Sequence, residues 1–488
     1  MLKPRNVLNA LAFLKAYFLR KALLILSIST CLTFSIHAEQ VSDSVAPEFS
    51  TKATSSDESH TKTAFAKEFI AVTAHPLATQ AAFDVLEKGG SAVDAMVAAQ
   101  SVLGLVEPQS SGIGGGAFAL YYDAKQKKLS SFDGRETAPL KASPELFMAD
   151  DTTPMQFFEA VIGGRSVGTP GTVKLLWQMH KRYGQQAWAD LLKPAIQLAK
   201  NGFTVSERMA ASVKRDKGRL DLDPESAAYF YPNGEAVQEG SLLKNPAYAA
   251  TLVSLAKEGG DRFYYSDISK AIVNKVQNSS NKGYLSQEDF DAYKVIEREA
   301  SCMDYREFYV CGMGPPSSGA ISVNQILGIL ENYKIAELSK NDPLTWQLIS
   351  EASRLAFADR GRYIADPDFI DVPTGLLDKH YLRARSKLIK AGQANMNISY
   401  GTPPNLRNAQ WGSGNSPEQA STTHFVIVDK AGNVVSMTST IENAFGSRLM
   451  VKGFLLNNEL TDFSFLPEKN AQLVANRVEP GKRPRSSM

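Results

Sequence analysis

The strongest constraint on what this chain can fold into is a change of hydrophobic period partway along it. Between Ala78 and Arg362 the apolar residues recur mainly at helical spacing. This predicts helices over Ala78–Lys88, Ala92–Leu103, Pro170–Tyr183, Trp188–Asn201, Pro246–Glu258, Ser266–Asn278, Ser286–Tyr293, Ser322–Leu330 and Leu344–Arg362. Beyond a polar, Gly/Pro/Asn/Ser-rich connector from Asn395 to Ala420, the period switches to that of strands. Thr423–Val428 and Val434–Ser439 flank the turn Lys430-Ala431-Gly432-Asn433, and Phe454–Leu456 is a further apolar strand. Two strand patterns, Phe69–Ala74 and Ala117–Tyr122, lie among the first helices. A chain supplying both periods must pack helices against a sheet, so the expected class is mixed α/β. No internal repeat is present.

The amino terminus reads as an export signal. Lys3, Arg5, Lys15, Arg20 and Lys21 precede an apolar run from Ala22 to Phe34, and Ala38 is the expected last residue before cleavage. The run is shorter than the ~20 residues a membrane span needs. Residues 39–63 are polar and predict a flexible leader. The formal net charge of +2 arises in the signal, because residues 39–488 hold 48 basic against 51 acidic side chains. No basic face argues for nucleic acid. Export points to a secreted protein, the bacterial periplasm being the expected site. Cys302 and Cys311 then bracket a stretch of β-formers predicted to turn around Asp304–Glu307. An oxidising compartment favours a disulfide across that hairpin, the alternative being two buried thiols.

Most familiar catalytic sets are absent. The six histidines are scattered, with no metal-ligand spacing. Gly112-Ile113-Gly114-Gly115-Gly116-Ala117 matches the dinucleotide pattern formally, but a strand follows it where a helix is needed. These glycines instead suit a tight backbone path beside a buried site. No metal and no cofactor are expected.

The informative run is Ser421-Thr422-Thr423-His424-Phe425-Val426-Ile427-Val428-Asp429, a polar loop entering a strand. It resembles the start of the small subunit of γ-glutamyltransferases, whose precursors cut themselves immediately before such a Thr-Thr-His. Similar stretches are Ala74–Ala78, Val106–Gly116, Gly168–Thr172, Pro315–Gly319, Ala358–Arg360, Gly453–Ser464 and Lys482–Met488, in order over roughly residues 70 to 488. The resemblance implies an N-terminal-nucleophile hydrolase with a four-layer αββα sandwich. It also implies a precursor cut between Ser421 and Thr422, giving a large-subunit region (64–421) and the start of a small-subunit region (422–488). Thr422 would be the nucleophile and Thr440 the threonine that orients it. Arg135, Ser486 and Ser487 match groups that bind a substrate α-carboxylate. Asp462, with Glu459 beside it, matches the carboxylate that receives the α-amino group. Without the resemblance, Arg135 reads as an ion pair, Asp462 as a cap and Ser486-Ser487 as loop.

Three departures from the family pattern stand out. Glu442 occupies the place of an asparagine in the α-amino site. The stretch from Phe465 to Lys482 is short for the loop that lids the pocket, which favours hydrolysis over transfer. The small-subunit region from Thr422 has 67 residues, whereas family small subunits continue through a Gly-Gly oxyanion hole. The expectation is therefore a C-terminally truncated, impaired fragment, since one lost oxyanion donor costs ~10²–10³-fold in turnover. The resulting reading is a γ-glutamyl hydrolase or transferase acting on glutathione-like amides, with water, an amino acid or a peptide as acceptor. A glutaryl- or cephalosporin-type acylase and a non-catalytic homologue are the alternatives.

Overall fold

The computed structural model describes residues 65–407, 411–414 and 421–488. The expected signal (1–38), the leader (39–63) and parts of the connector lie outside the described residues. The organising element is a six-stranded sheet in which every neighbouring pair is antiparallel. Its strands are β1 (Ile70–Val72), β2 (Gly116–Asp123), β3 (Lys128–Gly134), β4 (Ile296–Arg298), β7 (Thr423–Val428) and β8 (Val434–Thr440), in the order β1-β7-β8-β2-β3-β4. The two strands predicted after the connector thus occupy the middle of the sheet, between strands formed more than 280 residues earlier.

Alternation along these strands decides which face is covered. Phe425, Ile427, Val435, Met437, Ala119 and Phe132 are all but inaccessible, whereas His424 and Tyr122 on the other face are exposed. The covered face packs beneath α2 (Ala92–Val106). That helix is rich in Ala and Val and buried on every side except at Gly104, as a helix inside a layered core must be. Ser91 and Asp94 close its N-terminus as a capping box. Asp429, in the β7–β8 turn, accepts the Ala92 N–H at 3.0 Å and so ties that turn to the start of α2. Around α2 lie α1 (Pro76–Glu87), α3 (Thr172–Tyr183) and α4 (Trp188–Asn201), with α6 (Pro246–Glu258) against α4. Between them in sequence runs α5 (Glu207–Arg215).

A second apolar cluster, with Ile329, Leu348, Leu355 and Leu382 at its centre, joins α7 (Gly319–Leu330) to α8 (Pro343–Tyr363). It also takes in Met303 of the hairpin β5 (Ser301–Tyr305) and β6 (Phe308–Gly312). Cys302 and Cys311 face one another across that hairpin as a disulfide, and the turn falls on Arg306 and Glu307, as expected. The class is the α/β one the sequence predicts. Of the two stacked sheets implied by the resemblance, the described residues build one as an extended sheet, and their other strands pair only two at a time. No helix among the described residues is long and apolar enough to cross a membrane.

Because Ile427 is fully buried between the sheet and α2, truncating it leaves a cavity that the helix cannot close. Ile427→Ala is expected to cost about 2–5 kcal/mol of unfolding free energy in urea denaturation.

Candidate active site

The β7–β8 register builds the centre of the site. Ser439 lies opposite Thr423, which brings the end of β8, Thr440, beside the residue preceding β7, Thr422. Thr422 Oγ1 is 3.2 Å from Thr440 Oγ1. The Thr440 hydroxyl donates to the Ser421 carbonyl at 3.1 Å and accepts the Glu442 N–H at 2.8 Å. Thr422 Oγ1 also touches the Ser421 carbonyl oxygen. The hydroxyl of Thr422 and the carbonyl on its N-terminal side therefore share one partner, Thr440. Ser421 is buried.

The glycine-rich run lies behind this junction. A Cβ on Gly115 would stand 2.0 Å from the Thr440 carbonyl oxygen, a distance no side chain tolerates. Gly114 accepts hydrogen bonds from Asn457 N and Nδ2 at 3.1 and 2.8 Å, fastening the run to the segment that carries Glu459 and Asp462. The run then enters β2 directly, and its glycines permit close backbone packing.

Arg135, at the end of β3, is fully buried and already engaged. Its Nε donates to Pro484 O at 3.1 Å and its Nη2 to Arg485 O at 3.1 Å. Nη1 pairs with Glu459 and Nη2 with Asp462. The guanidinium is thus not presented as a free fork, and a substrate carboxylate would have to displace or share the Asp462 contact. Asp462 is the more accessible of the two acids, its side chain 17% exposed against 1% for Glu459.

Glu442 joins the two halves of the site. Its backbone N–H holds Thr440, and its carboxylate accepts from Asn458 Nδ2 and lies beside Thr461 Oγ1. It adopts φ +72°, and Phe445 and Arg448 in the same loop are also left-handed, a concentration of strained backbone typical of functional loops. Burial, together with the charges of Asp462 and Glu459, raises the Glu442 carboxyl well above the usual carboxylate range. Burial likewise pushes Glu459 up to about 7 against the pull of Arg135. Glu136, fully buried behind Arg135, is raised by burial and by Glu459.

The serine pair is split by the structure. Ser486 is buried and bonded to Pro316 O and to Ser318, whereas Ser487 is exposed. Glu136, Asn457, Asn458 and Gln109 belong to stretches legible in the sequence, but their positions around the site were not. A run of polar side chains within an otherwise apolar, glycine-rich context is the only trace they leave. Among the described residues no group of three or more His, Cys, Asp or Glu is placed to hold a metal ion.

The family model described as gamma-glutamyltranspeptidase matches residues 78–488. The chain belongs to the γ-glutamyltranspeptidase family. It is 37% identical over 430 residues to a glutathione hydrolase proenzyme of Bacillus subtilis, covering 86% of this chain and 72% of that one. Its fold is similar to that of Helicobacter pylori gamma-glutamyltranspeptidase, with a TM-score of 0.68 at 32% identity over 71% of this chain and 99% of that one. It is also similar to a cephalosporin acylase from Bacillus halodurans, with a TM-score of 0.73 at 27% identity over 89% and 77% of the two chains. As a γ-glutamyltranspeptidase-family chain it shares the N-terminal-nucleophile hydrolase fold of these structures, of which the described residues build one extended sheet.

The raised carboxyls of this γ-glutamyltranspeptidase-family site make a pH prediction. An acid whose pKa is higher folded than unfolded takes up a proton on folding, so its folded state weakens as pH rises. For Glu459 the window runs from the ordinary 4.5 to about 7, and Glu442 acts in the same direction. Urea unfolding at about pH 5 and about pH 8 should show stability falling between them, and Glu442→Gln should lose less than the parent.

Proposed function

We infer that this chain is a self-cleaving γ-glutamyl hydrolase or transferase precursor, in which Thr422 is first the point of cleavage and then the nucleophile. The observation that carries the reading is the shared position of Thr422 Oγ1, Thr440 Oγ1 and the Ser421 carbonyl. In self-cleavage the Thr422 oxygen attacks the Ser421 carbonyl carbon while the Thr440 hydroxyl polarises the carbonyl oxygen. The C–N bond breaks, the nitrogen gains the hydroxyl proton, and an ester joins Ser421 to the Thr422 side chain. Water hydrolyses the ester to a Ser421 carboxylate and a free Thr422 hydroxyl. The exposed α-amino group has an ordinary pKa near ~8 and is then a usable base for that same hydroxyl. An amide nitrogen is not basic, so cleavage is the step that switches catalysis on.

In turnover, Thr422 attacks the γ-carbonyl of a glutathione-like amide, the leaving amine takes a proton, and water or an amino acid or peptide accepts the acyl group. Arg135 with Ser486 and Ser487 is assigned to the substrate α-carboxylate, and Glu442, Glu459 and Asp462 to its ammonium. The charge balance supports that assignment, since one guanidinium is set among Glu459, Asp462 and Glu136, and a fourth acid, Glu442, adds its charge to those of Glu459 and Asp462. A glutaryl group brings no ammonium to neutralise them. The acylase reading rests on the likeness to the cephalosporin acylase, and the acids count against it. The amino-terminal signal pattern supports export, with the bacterial periplasm as the proposed location.

Electrophoresis of the purified chain is expected to give two bands, the smaller beginning Thr-Thr-His on Edman sequencing. Thr422→Ala should give one band and no turnover of a γ-glutamyl anilide. A glutaryl anilide should turn over more slowly than the γ-glutamyl compound, and the reverse order would select the acylase.

A further inference from the structure

Resting on that reading of the Ser421–Thr422 bond, a second set of contacts reaches the cleavage point from outside the catalytic groups. The Ser421 hydroxyl donates to the main-chain carbonyl of Gln109 at 2.8 Å. The same carbonyl accepts the N–H of Phe445, in the strained loop that carries Glu442, at 3.3 Å. Gln109 is itself fixed from behind: its Nε2 donates to Glu107 Oε2 at 2.6 Å. Arg208, on α5, donates from Nη1 to the same Glu107 oxygen and from Nη2 to Ser110 Oγ, each at 3.1 Å. Gln109 and Ser110 are inaccessible to solvent, and Glu107 nearly so. Glu107 also closes the C-terminus of α2, its N–H bonded to Leu103 O at 2.8 Å. The Gln109 carbonyl is therefore anchored to two helices.

We propose that Gln109, braced by Glu107 and Arg208, is a positioning clamp for self-cleavage: its carbonyl holds the Ser421 hydroxyl so that the scissile carbonyl stays against Thr440 and Thr422. An attack within one peptide unit depends on the orientation of that unit more than on bringing groups together. The Thr422 side is fixed by β7, but the Ser421 side is fixed by its carbonyl contact with Thr440 and its hydroxyl contact with Gln109. With the hydroxyl unbound, the carbonyl can turn away from the nucleophile while keeping the rest of the fold intact. After cleavage Ser421 is no longer joined to Thr422, so the contact acts on the precursor. The Phe445 N–H shares the same acceptor, which places the cleavage residue and the substrate loop on one support.

The test follows appearance of the fragment that begins at Thr422, in the full chain and in Ser421→Ala, Ser421→Thr and Arg208→Ala. Loss of one buried hydrogen bond should slow cleavage in Ser421→Ala on the order of 10-fold, with the precursor's thermal unfolding midpoint unchanged. Ser421→Thr keeps the hydroxyl and should cleave within about threefold of the parent. Arg208→Ala loosens the brace without touching Ser421 and should slow cleavage by about threefold. A Ser421→Ala chain that cleaves as fast as the parent, or a Ser421→Thr chain as slow as Ser421→Ala, overturns the clamp while leaving Thr422 as nucleophile. If the parent itself is not split at Ser421–Thr422, the proposed function fails and the clamp with it.

Discussion

The geometry of the candidate site depends on the antiparallel pairing of Thr423–Val428 with Val434–Thr440. A strand pair repeats every two residues, so a slip of one in Val434–Thr440 would turn Thr440 to the opposite face and carry Val435 and Met437 out of the core. Burial of the apolar face beneath the Ala92–Val106 helix therefore sets the distance between two hydroxyl groups at the strands' ends. Asp429 strengthens that setting by accepting N–H groups from its own turn and from the start of the helix. Stability and the spacing of these two hydroxyls share one source here, the packing of a sheet face against a helix.

The acid cluster is a different kind of constraint. Glu136, Glu459 and Asp462 surround a single guanidinium, Glu442 adds its charge to those of Glu459 and Asp462, and all but Asp462 have buried side chains. Groups so placed favour their neutral forms or a bound cation, because an unpaired buried charge is costly. The arrangement disfavours ionisation of all four acids at once, and a ligand carrying an ammonium would relieve it. Strained backbone at Glu442, Phe445 and Arg448 lies in the same loop, so electrostatic and conformational strain are concentrated where substrate is proposed to bind.

Much of the framework was legible beforehand. The Trp188–Asn201 and Pro246–Glu258 helices, the hairpin around Arg306 and the two strands after the connector follow from periodicity and turn residues, which act over a few positions. Arg135 was legible as a residue type in a family motif, but its saturation by Glu459, Asp462, Pro484 and Arg485 was not, since those partners lie more than 300 residues away. Ser486 and Ser487 looked equivalent as neighbours in sequence. Packing against Pro316 and Ser318 buries one and leaves the other exposed.

The sequence by itself determined the mixed α/β class and the family, and it was the resemblance to that family, not the local pattern, that singled out Thr422. Those properties reside in residue identity and short-range pattern. Only the tertiary structure decided which carbonyl Thr440 holds, which acids crowd Arg135, and that Gln109 reaches Ser421. These depend on distances between segments brought together by burial, and no local pattern encodes a distance across the sheet.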